Sequence, residues 1–231
     1  MARSLWRDGF FGVAAGLLAW AAVGSVAALG FGAPARAATV VAKITSQNGA
    51  TEGAVVTVTR AGQAPAPVKA GTRAVMIQQD RQFTPFVLPV QLGTTVEFPN
   101  RDPFRHQVYS FSAAKAFELK LYGGNEVNSI TFDKEGVVAL GCNIHDNMLA
   151  YIYVVGTPFF ALSAKDGGAR VEQLPAGAYT VTVWHPSQKT GQSISKDVTL
   201  AAGDTANVDL QIEMKRERRQ RKPGAVDEKE Y

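Results

Sequence analysis

The chain has 231 residues, of which 46% are apolar and 19% charged, and a formal net charge of +4. That apolar content excludes an intrinsically disordered protein and suffices for one ordinary core or two small ones. The positive charge is local: residues 215–231 hold seven Lys or Arg against four Asp or Glu and the body 38–214 is left at −1, so the basic balance describes a tail and gives no ground for a nucleic-acid partner.

In chain order, Arg3 and Arg7 precede an uncharged stretch from Gly9 to Pro34, which closes on Ala35-Arg36-Ala37. Small residues in that pattern are what a signal peptidase reads, so a cleavable signal peptide is expected over residues 1–37, cut after Ala37, with export to a bacterial periplasm. The stretch also exceeds the roughly 20 residues that span a bilayer, and an uncleaved membrane anchor stays open. Export makes the single cysteine, Cys142, informative. It has no internal disulfide partner, and a lone thiol in an oxidising compartment is a liability unless it is buried or bound to something.

Beyond the leader, the apolar runs are short and rich in Val, Thr, Tyr and Phe, among 22 Gly and 11 Pro, which predicts an all-β fold. Strands are expected at Thr39–Thr45 and Ala54–Arg60, with a turn at Gln47-Asn48-Gly49, and a linker over Ala61–Gly71. Further strands are expected at Ala74–Gln79, Val87–Gln91, Thr95–Pro99, Gln107–Phe111, Glu126–Phe132, Gly136–Gly141 and Leu149–Val155, with a short helical turn within Ser112–Lys120. A turn-rich passage over Gly156–Gly168 leads to strands at Ala169–Leu174, Ala178–Trp184, Ile194–Leu200 and Asn207–Glu213.

Chemistry concentrates in Gly141-Cys142-Asn143-Ile144-His145-Asp146-Asn147-Met148, which packs a thiol, an imidazole and a thioether into the seven residues from Cys142 to Met148. Trigonal sites of two His and one Cys with a weak axial Met suit copper, because thiolate and thioether favour Cu(I) while imidazole accepts both oxidation states. Zinc seldom takes Met. One more imidazole is required, and only His106 and His185 remain.

The residues before His106 read Phe83-x-Pro85, Leu88-x-Val90-x-x-Gly93-x-Thr95-Val96-x-Phe98-x-Asn100-x-Asp102, and Gly136 precedes Cys142 by six positions. This pattern, over about 73–155, resembles the cupredoxins, which carry F-x-P-x-x-L-x-V-x-x-G-x-T-V-x-F-x-N, a first His ligand, then G-x-x-x-x-x-C and a short loop with His and Met. The C-x₂-H-x₂-M loop is similar to the shortest family version, that of amicyanin. The resemblance implies a Greek-key β-sandwich, one copper ion held by His106, Cys142, His145 and Met148, and a role as electron carrier. It further implies that His145, with Pro103, Phe104 and Leu149 nearby, is the exit for electrons, and that Arg101, Arg105 and Asp146 set partner choice by rim charge. Family members often have Asn directly after the first His, tying the two ligand loops together. Here the residue is Gln107, which leaves the outer hydrogen bonding from Gln107 and Asn143 open, while Asn100 and Asp102 are expected to shape the turn before His106. Chains of this layout are often labelled methylamine-utilisation or plastocyanin-like proteins.

Leu174-Pro-Ala-Gly177-Ala-Tyr179-Thr-Val-Thr-Val183 resembles the signature of carboxypeptidase-regulatory-like β-sandwiches, and Gly53–Val58 looks like an opening strand of the same module. The expected organisation is a signal peptide at 1–37, N-terminal strands at 39–66 that join the accessory sandwich or else pair with the copper domain, the copper domain at 72–155, the accessory β-sandwich at 157–213 and a charged tail at 214–231. Trp184 is expected to pack in the smaller sandwich and His185 to end a strand outside the site. The function expected is a monomeric periplasmic carrier of single electrons between protein redox partners, with no enzymatic reaction: three His in all cannot furnish the extra centres of a multicopper enzyme. Copper trafficking or sensing is the alternative, and a structural module with a vestigial site a third.

Overall fold

The structure is a computed structural model that describes residues 36–124, 126–145, 147–189 and 194–215, so most of the expected leader, the tail and Asp146 lie outside the described residues. Among the described residues all regular structure is β. The strands β1 (Ala38–Ser46), β2 (Gly49–Ala50) and β3 (Val55–Arg60) come first. They are followed by β4 (Arg73–Val75), β5 (Ile77–Gln79), β6 (Gln82–Thr84), β7 (Val87–Gln91), β8 (Thr95–Pro99), β9 (His106–Ser112), β10 (Lys115–Tyr122), β11 (Val127–Thr131), β12 (Gly136–Gly141) and β13 (Leu149–Val155). The last are β14 (Phe160–Leu162), β15 (Gly168–Leu174), β16 (Gly177–Trp184), β17 (Ile194–Leu200) and β18 (Thr205–Ile212).

Alternation explains how these strands find their layers. In β1, Ala38, Val40, Ala42 and Ile44 all point inward and are fully buried, as a period of two requires of a half-buried strand. Their sheet has the order β15-β1-β18, with β1 parallel to β18, and faces a second sheet of order β14-β3-β16-β17. Val56, Val58, Leu174, Tyr179, Val181, Val208 and Ile212 complete the core between them. Strands from both ends of the chain therefore build one sandwich: β1 pairs with β15 and β18, and β3 with β14 and β16.

The strands between β3 and β14 build the other. A sheet of order β10-β9-β12-β13-β7 and a sheet of order β11-β8-β4 enclose Met76, Phe98, Val108, Phe132, Leu140 and Ile152, each fully buried. Burying a side chain of this size contributes about 1.5–3 kcal/mol relative to leaving it in water. Cys142 and Met148 belong to this core. The two sandwiches meet through residues of neither core: Val55, Val87 and Val155 are buried, and Trp184 at the end of β16 packs its ring on Tyr151 and Tyr153 of β13, with centroids 5.9 and 4.9 Å away.

Four features differ from the sequence expectations. Ser112–Lys120 holds no helical turn: β9 runs to Ser112 and returns as β10 after two residues, with Phe117 packed inward and Ala116, Glu118 and Lys120 exposed, a period of two. Ala74–Gln79 is broken at Met76, whose N–H donates to the Glu97 carbonyl at 2.9 Å. The three-residue strands β6 and β14 were unforeseen. Trp184 faces the larger sandwich instead of packing inside the smaller one, because position 184 lies on the outer face of its sheet, opposite Val55.

Candidate metal centre

His106 opens β9, and Cys142 follows the last residue of β12. The register places Gly141 opposite Tyr109, which brings the start of one strand beside the end of the other and sets the thiol next to the imidazole. A side chain at 141 would collide there, since an added β-carbon would stand 2.6 Å from the Tyr109 ring. Past Cys142 the chain turns back, with Met148 N–H donating to the His145 carbonyl at 3.0 Å, and β13 then leads into the core.

This turn brings three donors together. Nδ1 of His106 and Nδ1 of His145 each lie 3.9 Å from Cys142 Sγ, and the three ligand atoms fall within 4.8 Å of one another. With metal–sulfur and metal–nitrogen bonds of about 2.3 and 2.05 Å, a trigonal angle separates sulfur from nitrogen by about 3.8 Å. The spacing of the three atoms therefore suits metal coordination. His106 is fully buried, Cys142 is 4% exposed and His145 is half-buried. Met148 is buried in the core that contains Cys142, and both line an open groove with Tyr109, Phe111 and Leu149.

The tautomer of His106 follows from its other nitrogen. Nε2 lies 2.7 Å from Asp102 Oδ2, and a carboxylate only accepts, so the proton sits on Nε2 and the Nδ1 lone pair faces the sulfur. Asp102 is held below the usual carboxylate range: burial acts to raise it, but the Arg81 N–H, the His106 ring and the Asp80 N–H together outweigh that effect. Asn100 shapes the turn, accepting from Asp102 N–H at 2.9 Å and donating to the carbonyls of Phe104 and Tyr122. Tyr122, packed below, has its hydroxyl pushed up to about 12, chiefly by burial, and donates to the Phe98 carbonyl at 2.6 Å.

Gln107 does reach the cysteine loop: its Oε1 accepts from Asn143 Nδ2 at 2.9 Å. Phe104 covers the site, its ring centroid 5.1 Å from that of His106 and 5.6 Å from that of His145. Pro103 is exposed beside it, and Leu149 is exposed across the loop, as are Arg101 and Arg105. His185 stands apart from the cluster, accepting from Ser187 N–H at 3.1 Å. Sequence reasoning took Asp102 only as a turn residue and missed its bond to His106; the i, i+4 spacing of the pair was the available signal. It also passed over Ile144, half-exposed between Cys142 and His145, and Arg81, whose guanidinium lies 5.2 Å from the Phe104 centroid.

No family model matches the chain, and no curated protein matches it. Among solved structures, it is similar to a Cu-containing nitrite reductase from Thermus scotoductus SA-01, with 29% identity over 42% of this chain and a TM-score of 0.35. The match spans only 27% of that enzyme's chain. A purple cupredoxin from Nitrosopumilus maritimus matches at 22% identity over 36% of this chain and 99% of its own, with a TM-score of 0.32. The reduced Cu(I) form of an amicyanin variant matches at 22% identity over 43% of this chain and 99% of its own, with a TM-score of 0.34.

Proposed function

We propose that the chain is an exported type 1 copper protein that holds one ion through His106, Cys142 and His145, with Met148 as the weak axial donor. It then passes single electrons between protein partners in the periplasm. The observation that supports this most directly is the pair of 3.9 Å separations between Cys142 Sγ and the two histidine Nδ1 atoms. One thiolate with two imidazoles suits copper in both oxidation states. When bound, copper supplies a one-electron Cu(II)/Cu(I) couple.

The chain's own residues do the rest. Asp102 fixes the His106 ring, the Gln107–Asn143 hydrogen bond ties the two ligand segments together, and the core leaves Cys142 only 4% exposed. A donor set held from outside in this way changes little in geometry as the charge changes, which favours fast electron exchange. His145 reaches the surface among Phe104, Ile144 and Leu149. This apolar rim, flanked by Arg101 and Arg105, suits a brief encounter with a redox protein. Three His in the sequence supply one such centre, which is why we assign no reaction of its own to the chain.

Adding Cu(II) to the purified mature protein tests the reading. An intense visible charge-transfer band is expected, abolished in Cys142→Ser; a colourless wild-type protein overturns the proposal. The groove that opens beside Cys142 and Met148 favours a second reading, copper trafficking. A chelator challenge separates the two, since a carrier keeps its ion through repeated redox cycles and a trafficking protein releases it within seconds. The periplasmic assignment rests on the leader, and a mature N-terminus at Ala38 in the periplasmic fraction is its expected signature. A full-length chain in the membrane fraction would indicate an anchor.

A further inference from the structure

The two turn residues between β5 and β6, Asp80 and Arg81, both have positive φ, 55° and 58°. A two-residue hairpin of this kind turns both central N–H groups to the same side, and here both reach one carboxylate: Asp80 N–H donates to Asp102 Oδ1 at 2.7 Å and Arg81 N–H to Asp102 Oδ2 at 3.0 Å. That same Oδ2 receives the His106 Nε2 proton at 2.7 Å. The hairpin is itself docked by buried polar bonds, with Gln78 donating to the Tyr122 hydroxyl at 2.5 Å and to the Phe98 carbonyl at 3.2 Å, and Arg101 N–H donating to the Gln78 carbonyl at 2.8 Å. Phe83 anchors it in the core. From its exposed tip the Arg81 guanidinium lies over Phe104, whose ring touches both imidazoles.

We propose that the β5–β6 hairpin is a clamp on the metal centre: through Asp102 it fixes the His106 ring, through Arg81 and Phe104 it presses on both imidazoles, and the opposite charges of Asp102 in the loop and Arg81 on the hairpin bias the redox balance in opposite directions. Asp102 and Arg81 are thus positioning residues, remote in sequence from the cysteine loop and not donors themselves. A negative charge behind the His106 ring favours Cu(II) over Cu(I), and a positive charge over Phe104 favours Cu(I). A hairpin serving only the fold would leave both the ring tautomer and the redox balance unmoved.

The inference rests on the copper reading for its redox part, and the experiment separates the two. In the metal-free protein, nitrogen NMR of wild type, Asp102→Asn and Arg81→Gln reads the His106 ring directly. Wild type is expected as a single Nε2–H tautomer, and Asp102→Asn as a mixture with broadened ring signals. In the Cu(II)-loaded protein, Asp102→Asn is expected to shift the equilibrium toward Cu(I) at least tenfold, about 59 mV upward for one electron. Arg81→Gln, at an exposed position that leaves the fold intact, is expected to shift it two- to threefold the other way. An unchanged His106 tautomer in Asp102→Asn, or redox shifts of the same sign in both variants, overturns the clamp. A wild type that takes up no Cu(II) overturns the copper reading and leaves the metal-free arm to decide the clamp.

Discussion

Gln107, one residue past His106, accepts a hydrogen bond from Asn143, one residue past Cys142, at 2.9 Å. The two residues join the ends of β9 and β12 that carry His106 and Cys142, where backbone pairing stops, and Gln107 is steadied in turn by donating to Glu118 at 2.5 Å. Gln107→Leu removes this tie without touching a donor atom. Loss of copper to a chelator is expected to quicken about tenfold, the lower end of what outer partners contribute to metal affinity. Faster amide exchange at 142–145 in the metal-free variant is the second readout, and unchanged rates in both would deny the tie any role.

Trp184 joins the two sandwiches by packing its ring on Tyr151 and Tyr153. Trp184→Ala takes away this aromatic area and is expected to cost about 2 kcal/mol, less than a fully buried ring because Trp184 is half-exposed. Scanning calorimetry should show one cooperative transition in wild type and two resolved ones in the variant. A single transition in both would show that Val55, Val87 and Val155 suffice to couple the sandwiches.

His185 gives a pH signature remote from the metal centre. Burial pushes its imidazole below the ordinary value, against a weaker opposing hydrogen bond to the Glu52 backbone. A histidine held neutral in the folded state binds its proton more readily when unfolded. Its contribution is therefore complete above the unfolded value near 6.5 and is lost as pH falls from there toward the folded value. Urea unfolding of metal-free wild type and His185→Gln should show a stability gap at pH 7.5 that narrows at pH 5.0. A gap that widens on acidification contradicts the assignment.

Gly167 sits at φ 80°, and a β-carbon there would run into the Ile44 carbonyl oxygen. The same Gly167 carbonyl accepts from Ile44 N–H at 2.8 Å, so the strand cannot shift without losing that bond. Gly167→Ala is expected to destabilise the smaller sandwich by about 2–4 kcal/mol, read as a lowered urea midpoint with an unchanged slope.

Strands such as β7, β8, β12, β13 and β17 were legible to the residue because alternation and flanking Gly, Pro or Asn mark both ends. β10 was not, because its inward Phe117 and Leu119 sit among residues of good helix propensity and only pairing with β9 decides the period. β6 and β14 are too short for any alternation to register. At the site, the juxtaposition of Cys142 and His145 is local, and His106 could be placed from the residues around it. The bonds from Asp80 and Arg81 to Asp102 could not be placed in that way. They join a hairpin turn to a loop some twenty residues on, and no spacing rule connects them.

Val58 N–H donates to the Phe159 carbonyl at 2.8 Å, and Thr57 lies opposite Phe160. The polypeptide thus returns to the very strand it left at Arg60, and the whole intervening stretch stands on two feet about one strand spacing, some 4.8 Å, apart. Excising 62–156 and bridging the gap with a two- or three-residue turn would keep the strand pairs of the remaining sheets, together with the bond from Ala61 N–H to the Ala178 carbonyl at 3.0 Å, which makes the larger sandwich a removable cassette. Two feet also resist twisting in a way that one flexible tether does not, so any protein gripping the smaller sandwich holds the buried thiol at a set angle.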